Sequence, residues 1–304
     1  MKRSGLSIRT FQWDDIRAFV SLDRSIRLSK GEIAPTNPEI ITEILGQPQI
    51  NPEKNCFVLE INHEVVGYGI LHHESPINRC VLELKVHPKY ANTGAEQKLI
   101  ENAIFESKIL HAKVLHLQTG KTGYLTSLLK RMGFSPIRKY WLMQWKSTKL
   151  QEHYPPDGFF FRHLSESKDI DSLTLLQNKA FDGSWGFSPN TREEIQYRTR
   201  MSNTKPGGII FMCSEQDVCG YCWTFIINNG KSWTGTIAMI GIDPNHRSKG
   251  LGKPLLLEGL KFLHSRGVKY VELEVDSQNQ PAIRLYSSLG FKTIAERHWF
   301  EISF

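Results

Sequence analysis

Apolar positions along this chain follow two periods in alternation. Val65-Val-Gly-Tyr-Gly-Ile70 and Val218-Cys-Gly-Tyr-Cys-Trp223 are short β-forming runs, and each reads as the second strand of a hairpin. Leu99, Ile100, Ala103 and Ile104 fall at helical spacing, as do Leu255, Leu256, Gly259 and Leu260. A β-branched run ends at Ile240-Gly-Ile242 and gives way to turn formers. A helix then starts at about Leu251, with Pro254 in its first turn, where a missing N–H costs nothing. Leu273-Glu-Val-Asp276 alternates as a strand, and a further helix follows Asn279. Strands mixed with helices in this order predict an α/β (α+β) architecture, a mixed, mostly antiparallel sheet flanked by helices.

The pattern is written twice, with a period of about 156 residues. Lys85-Val-His-Pro-Lys-Tyr-Ala-Asn-Thr-Gly94 matches Gly241-Ile-Asp-Pro-Asn-His-Arg-Ser-Lys-Gly250, and Met132-Gly-Phe134 matches Leu289-Gly-Phe291. Each copy opens with an extended segment before an amphipathic helix: Ile8–Phe11 in the first, Phe160–Leu164 in the second. The turn-rich stretch His153-Tyr-Pro-Pro-Asp-Gly158 is the expected junction, giving domains over 1–152 and 158–304. The copies differ where chemistry is expected. Arg247 corresponds to Ala91, Gly252 to Glu96, Asn279 to Thr122 and Tyr286 to Leu129. The first copy is therefore read as a degenerate domain that holds or shapes the second; weak binding through its backbone alone is the alternative.

Ile240–Lys253 carries the strongest chemical signal. A strand runs into a basic turn at the start of a helix, where outward N–H groups and the helix dipole favour a pyrophosphate. Gly250 and Gly252 let the backbone approach phosphates without an intervening Cβ, and Arg247 and Lys253 add charge. The spacing is Arg-x-x-Gly-x-Gly, neither a dinucleotide fingerprint nor a Walker loop. With the later patch Asn279-x-x-Ala-x-x-Leu-Tyr286 and Gly290-Phe291, it resembles the acyl-CoA signature of the GCN5-related N-acetyltransferases (GNATs). The resemblance implies two tandem acyl-CoA N-acyltransferase domains, acetyl-CoA as co-substrate, an amine acceptor and no metal.

By that resemblance the pantetheine arm lies along Ile240, Gly241 and Ile242, with Gly241 a bulge or close-approach position. The pyrophosphate meets Arg247, Ser248, Lys249, Gly250, Leu251, Gly252 and Lys253. Tyr286 matches the tyrosine that protonates the leaving thiolate, and a phenol is protonated at neutral pH. Asn279 caps its helix or contacts CoA. Glu274 matches the proposed base of ribosomal-protein N-terminal acetyltransferases; an exposed place on an alternating strand is its other reading. The tandem layout also resembles mycothiol synthases, but Thr236 stands where those enzymes carry a glutamate base. Trp185 and Phe187 suit a mobile aromatic lid or a packed turn, while Trp223, His298 and His246 are weaker site candidates.

Composition narrows the classes. The chain has 304 residues, a formal net charge of +7, 40% hydrophobic and 23% charged residues. That suits two soluble domains. The net charge fits a polyphosphate ligand, and without a dense basic run or basic-aromatic stripe nucleic acid is disfavoured. No apolar run reaches membrane-spanning length and no signal peptide opens the chain, so a cytoplasmic location is expected. Five cysteines suggest no disulfide framework. Cys219 and Cys222 share CxxC spacing, but strand alternation is expected to put them on opposite faces. The expected function is acetyl transfer from acetyl-CoA to a primary amine: a small amine, an amino sugar or a protein N-terminus. A CoA-binding regulatory module and a basic interaction protein are the alternatives.

Overall fold

The structure, a computed structural model, describes residues 5–31, 37–146, 150–228 and 233–304. The chain forms two compact units, one running to Tyr140 and including Glu296–Phe304, the other spanning Trp141–Ala295.

The first unit contains β1 (Leu6–Thr10), α1 (Ile16–Ser29), α2 (Pro38–Leu45), α3 (Pro52–Asn55), β2 (Cys56–Ile61), β3 (Glu64–Glu74), β4 (Arg79–Val86), α4 (Ala95–Ile109), β5 (Val114–Gly120) and α5 (Tyr124–Arg131). Strand β6 (Ser135–Lys146) follows, and from Trp141 it belongs to the second unit. That unit goes on through β7 (Phe160–His163), α6 (Glu166–Phe181), α7 (Arg192–Thr199), β8 (Ile209–Cys213), β9 (Val218–Asn228), β10 (Trp233–Ile242), α8 (Gly252–Ser265), β11 (Tyr270–Asp276) and α9 (Gln280–Ser288). The last strand, β12 (Lys292–Ser303), lies from Glu296 onward in the first unit, where it pairs with β5.

In the first unit the strand order is β1-β2-β3-β4-β5-β12, antiparallel except for β4 beside β5. The second unit repeats it as β7-β8-β9-β10-β11-β6, with β10 and β11 parallel. The expected junction at 153–158 thus falls inside the second compact unit. Turn-forming residues mark where the sequence repeat restarts; strand pairing decides which strands share a core.

The repeat extends to details that periodicity does not show. Arg9 on β1 grips Asp15 with both terminal nitrogens, at 2.7 Å each. Arg162 on β7 grips Asp169 in the same way, at 2.6 and 2.9 Å. Such paired, charge-assisted bonds fix the entry of each first helix.

In the second unit, Leu255, Leu256, Leu260 and Leu263 of α8 pack with Val271, Leu273 and Val275 on one face of the sheet. Ile170, Leu173 and Leu176 of α6, and Ile195 of α7, pack with Phe211, Tyr221 and Trp223 on the other. Cys219 and Cys222 do not face apart as expected. The register slips between Met212 and Cys213 where β8 meets β9, and both thiols enter the core beneath α8. The extra residue of a bulge reverses the strand's parity. All five cysteines are free and buried, and burial pushes the Cys222 thiol up to about 12. No cluster of metal-ligating side chains occurs among the described residues.

Candidate active site

The site begins where two parallel strands part. The β10–β11 ladder has three rungs and ends at Thr236 opposite Glu272. Beyond it, Ile237–Ile242 stay paired with β9 on one edge only. The register shifts between Ile237 and Met239, so the bulged residue is Ala238. Gly241, an expected bulge or close-approach position, is the second: it pairs regularly with Tyr221, and a Cβ there would meet Ala180 Cβ at 2.9 Å. Ile240 and Ile242 turn their side chains into the core under α8. Their second backbone edge has no strand beside it among the described residues.

The turn after β10 has the backbone form of an anion-binding nest. Ser248 and Gly250 take left-handed conformations, φ +63° and +74°. None of the N–H groups of Ser248 through Lys253 makes a well-formed hydrogen bond to another group among the described residues. Leu251 and Gly252 begin α8, so the positive end of its dipole adds to them. Gly252 has no left-handed φ, and a Cβ there would meet only Leu285 Cδ2 at 3.5 Å, an ordinary contact. Nothing within the chain requires glycine at this place. Lys249 and Lys253 make no ion pair among the described residues, whereas Arg247 is engaged, donating to Ala180 O at 2.7 Å. Its guanidinium ties the turn to the end of α6.

The first unit contains a natural comparison. Asn92 and Gly94 repeat the left-handed pair, at φ +65° and +100°. There, Glu96 fills the cradle: both its carboxylate oxygens accept the Asn92 N–H, at 3.2 Å, and the residue is only 7% exposed. A carboxylate of the chain thus occupies this turn, where the second turn has only Gly252. Glu96→Ala removes this charge-assisted contact, worth about 1.5–3 kcal/mol. Hydrogen exchange at the Asn92 amide is expected to accelerate at least roughly tenfold; an unchanged rate would show that the carboxylate does not hold the turn.

Tyr286 lies on α9 with its ring in the core beside Phe291, centroids 5.9 Å apart. Its hydroxyl bonds to nothing among the described residues. Burial, and secondarily the Cys222 thiol, hold the phenol above its ordinary range, so it stays a proton donor. Asn279 is a cap: its side chain accepts the Ala282 N–H at 3.2 Å. On β11, Leu273 and Val275 point to α8, and Glu272, Glu274 and Asp276 therefore point to the opposite face. Glu274 is exposed. Glu272 is half-buried and accepts the Gln144 Nε2–H of β6 at 2.8 Å.

Residues 170–291 match the family described as Acetyltransferase (GNAT) family. They are a GNAT acetyltransferase domain. The chain is 28% identical to the mycothiol acetyltransferase of Saccharomonospora viridis over 306 residues, covering 94% of this chain and 97% of that one. It is 28% identical to the mycothiol acetyltransferase of Pseudarthrobacter chlorophenolicus over 233 residues, covering 75% and 71%. A tandem GNAT protein from the clavulanic acid biosynthesis pathway shares the fold, with a TM-score of 0.74, 16% identity and 98% of each chain covered.

Other candidates fall outside the GNAT cleft or beside it. Trp223 is a core residue, 1% exposed, whose Nε1–H donates to Thr204 Oγ1 at 3.1 Å. His298 lies in the first unit, opposite Thr119 on β5 and 3.0 Å from Glu296. Phe187 packs on Phe181, centroids 5.7 Å apart, so this part of the turn is held. The loop is closed at its base by Asn178, which donates to Asn190 O and accepts the Asn190 N–H, both at 2.9 Å. Gln144 and Glu272 were not singled out from sequence. Gln144 belongs to the first repeat by sequence, and only strand pairing brings it to β11.

Proposed function

We propose that the second unit binds acetyl-CoA and transfers its acetyl group directly to a primary amine, and that the first unit binds none. The observation that carries this reading is the set of unpartnered N–H groups over Ser248–Lys253 beside the parted strands, with Glu96 closing the matching turn of the first unit. The pyrophosphate would meet Ser248–Lys253, and the pantetheine arm would pair with the β10 edge at Ile240–Ile242. Past the last rung, Ile237–Ile242 run for roughly 16 Å at 3.3 Å per residue. An extended pantetheine arm is of that length, which brings the thioester to the fork at Thr236 and Ala238.

The chain's residues then divide the work. Backbone N–H groups hold the diphosphate, and the bulge at Ala238 lies at the fork. Tyr286 supplies the proton the departing sulfur needs, and a carboxylate on the open face of β11 receives the proton of the acceptor amine. Glu274 is the residue that resemblance names for that task. Core packing under α8 closes one face, so the acceptor reaches the fork from the face bearing Thr236, Glu272 and Glu274. Relatives named mycothiol acetyltransferases point to an amine on a small polar molecule; amino sugars, small amines and protein N-termini share the required chemistry. Five free cysteines fit a reducing, cytoplasmic setting, and no helix among the described residues is long and apolar enough to cross a membrane.

Calorimetric titration of the full chain with acetyl-CoA is expected to give about one site per chain. Two sites of similar affinity would contradict the division of labour between the units.

A further inference from the structure

We infer that Glu272, positioned by Gln144, is the group that takes the acceptor's proton, in place of Glu274. This assignment rests on the acetyltransferase reading and deepens it.

Three observations carry it. Glu272 occupies the last rung of the β10–β11 ladder, opposite Thr236, at the fork where the arm's length puts the thioester. Glu274 lies two residues further on, roughly 6–7 Å along the strand toward the diphosphate turn. Glu272 is also half-buried and held: Gln144 donates to Glu272 Oε1 at 2.8 Å, and Glu272 Oε2 takes no partner among the described residues. A carboxylate fixed through one oxygen and open at the other is prepared to accept a single proton in a set direction. Finally, Glu272 shares its face with Thr236. Gly235, next to Thr236, lies against Leu263 on the α8 side, so Thr236 points away from α8 as Glu272 does. Thr236 cannot act as a base, and the carboxylate beside it on the neighbouring strand can.

The step balances as follows. An ammonium acceptor gives one proton to Glu272 Oε2, which passes it to solvent. The freed nitrogen lone pair forms the N–C bond at the thioester carbonyl while the C–S bond breaks. Tyr286 gives its proton to the sulfur. The second proton lost from nitrogen offsets the one given to sulfur, so one proton is released for each acetyl transferred. The charged groups that share the face are Glu274 and Asp276 on β11 and Lys146, two residues beyond Gln144, on β6; Tyr270 on β11 is titratable but neutral, and Gln144 and Thr236, on the flanking strands, are uncharged.

The test uses the full chain and two probe acceptors. Ethanolamine is an ammonium at neutral pH and needs a base; hydroxylamine is already neutral and does not. Glu272→Gln keeps an oxygen to accept the Gln144 N–H, so the fold and acetyl-CoA affinity are expected to hold. Its kcat/KM with ethanolamine is expected to fall by roughly 10²–10⁴ at neutral pH, the range for a lost general base. The defect should shrink as pH rises and should be small with hydroxylamine. Gln144→Leu is expected to show the same pH trend with a loss of roughly tenfold, the scale of one charge-assisted hydrogen bond. Glu274→Gln should have the lesser effect on ethanolamine, without that trend. The reverse ranking of Glu272 and Glu274 overturns the assignment, as does a Glu272→Gln defect equal for both probes. If the wild type binds acetyl-CoA yet acetylates no amine of a panel that adds amino sugars and peptide N-termini to these two probes, the acetyltransferase reading fails, and the assignment with it.

Discussion

Gly252→Glu is expected to abolish acetyl-CoA binding and leave the fold intact. The substitution copies what the first repeat carries at Glu96, whose carboxylate folds back onto the Asn92 N–H. Placed in the second turn, the same carboxylate would take the Ser248 N–H and occupy the cradle. A unit charge about 4 Å from a phosphate charge opposes it by about 4 kcal/mol at an effective dielectric of 20. That is a loss of roughly 1,000-fold in affinity. Folding should not suffer, because a Cβ at 252 meets only Leu285 at 3.5 Å and an acidic side chain suits the first turn of α8. Calorimetric affinity, read beside an unchanged or slightly higher melting temperature, is the check. Near-normal affinity in the folded variant would place the diphosphate elsewhere.

Tyr286→Phe is expected to lower kcat by roughly 10²–10⁴ with little change in acetyl-CoA affinity. The ring packs beside Phe291 and stays, while the hydroxyl that is removed bonds to nothing among the described residues. The truncation therefore breaks no structural contact, and lost rate reports lost proton donation. The direction of the pKa shift adds a pH signature. Burial raises the phenol above its ordinary value, and an acid works below its pKa, so its contribution should persist past the pH where a free phenol ionises. In the wild type, the arm of the rate profile that depends on Tyr286 should fall only above about pH 10. Full activity in Tyr286→Phe would show that the thiolate leaves without help from this side chain.

Much of this was legible in the sequence because it rests on local rules. The β-branched run, the turn glycines and the heptad-like leucines of α8 report strand, turn and helix directly. The difference between Gly252 and Glu96 is visible as a mismatch between repeats, and the structure shows what it does: one turn is filled by the chain itself, the other is open. What the sequence hid is set by pairing at long range. The bulge falls at Ala238 rather than Gly241, because the slip is fixed by the registers of two strands. Cys219 and Cys222 share a core because a bulge resets the alternation that was used to separate them. Arg247 reads as a phosphate ligand from its charge, but Ala180 at the end of α6 claims it. Gln144 carries no motif, and no spacing rule connects it with Glu272 across more than a hundred residues. The end of the first repeat joins the second unit's sheet, so a site built there draws on sequence that looks as if it belongs elsewhere.

The most direct test of acetyl transfer by the second unit is release of the CoA thiol, with mass analysis of the acceptor, over a panel of amines. Wild type and Gly252→Glu would be compared at an acetyl-CoA concentration near the wild-type Kd, where a loss of roughly 1,000-fold in affinity leaves the variant essentially empty. The account predicts that wild type releases thiol only when an amine is present, one thiol for each acetyl gained by the acceptor, and that Gly252→Glu releases none. Acetyl-CoA bound by the wild type with no amine in the panel acetylated, or transfer that survives Gly252→Glu, would contradict it.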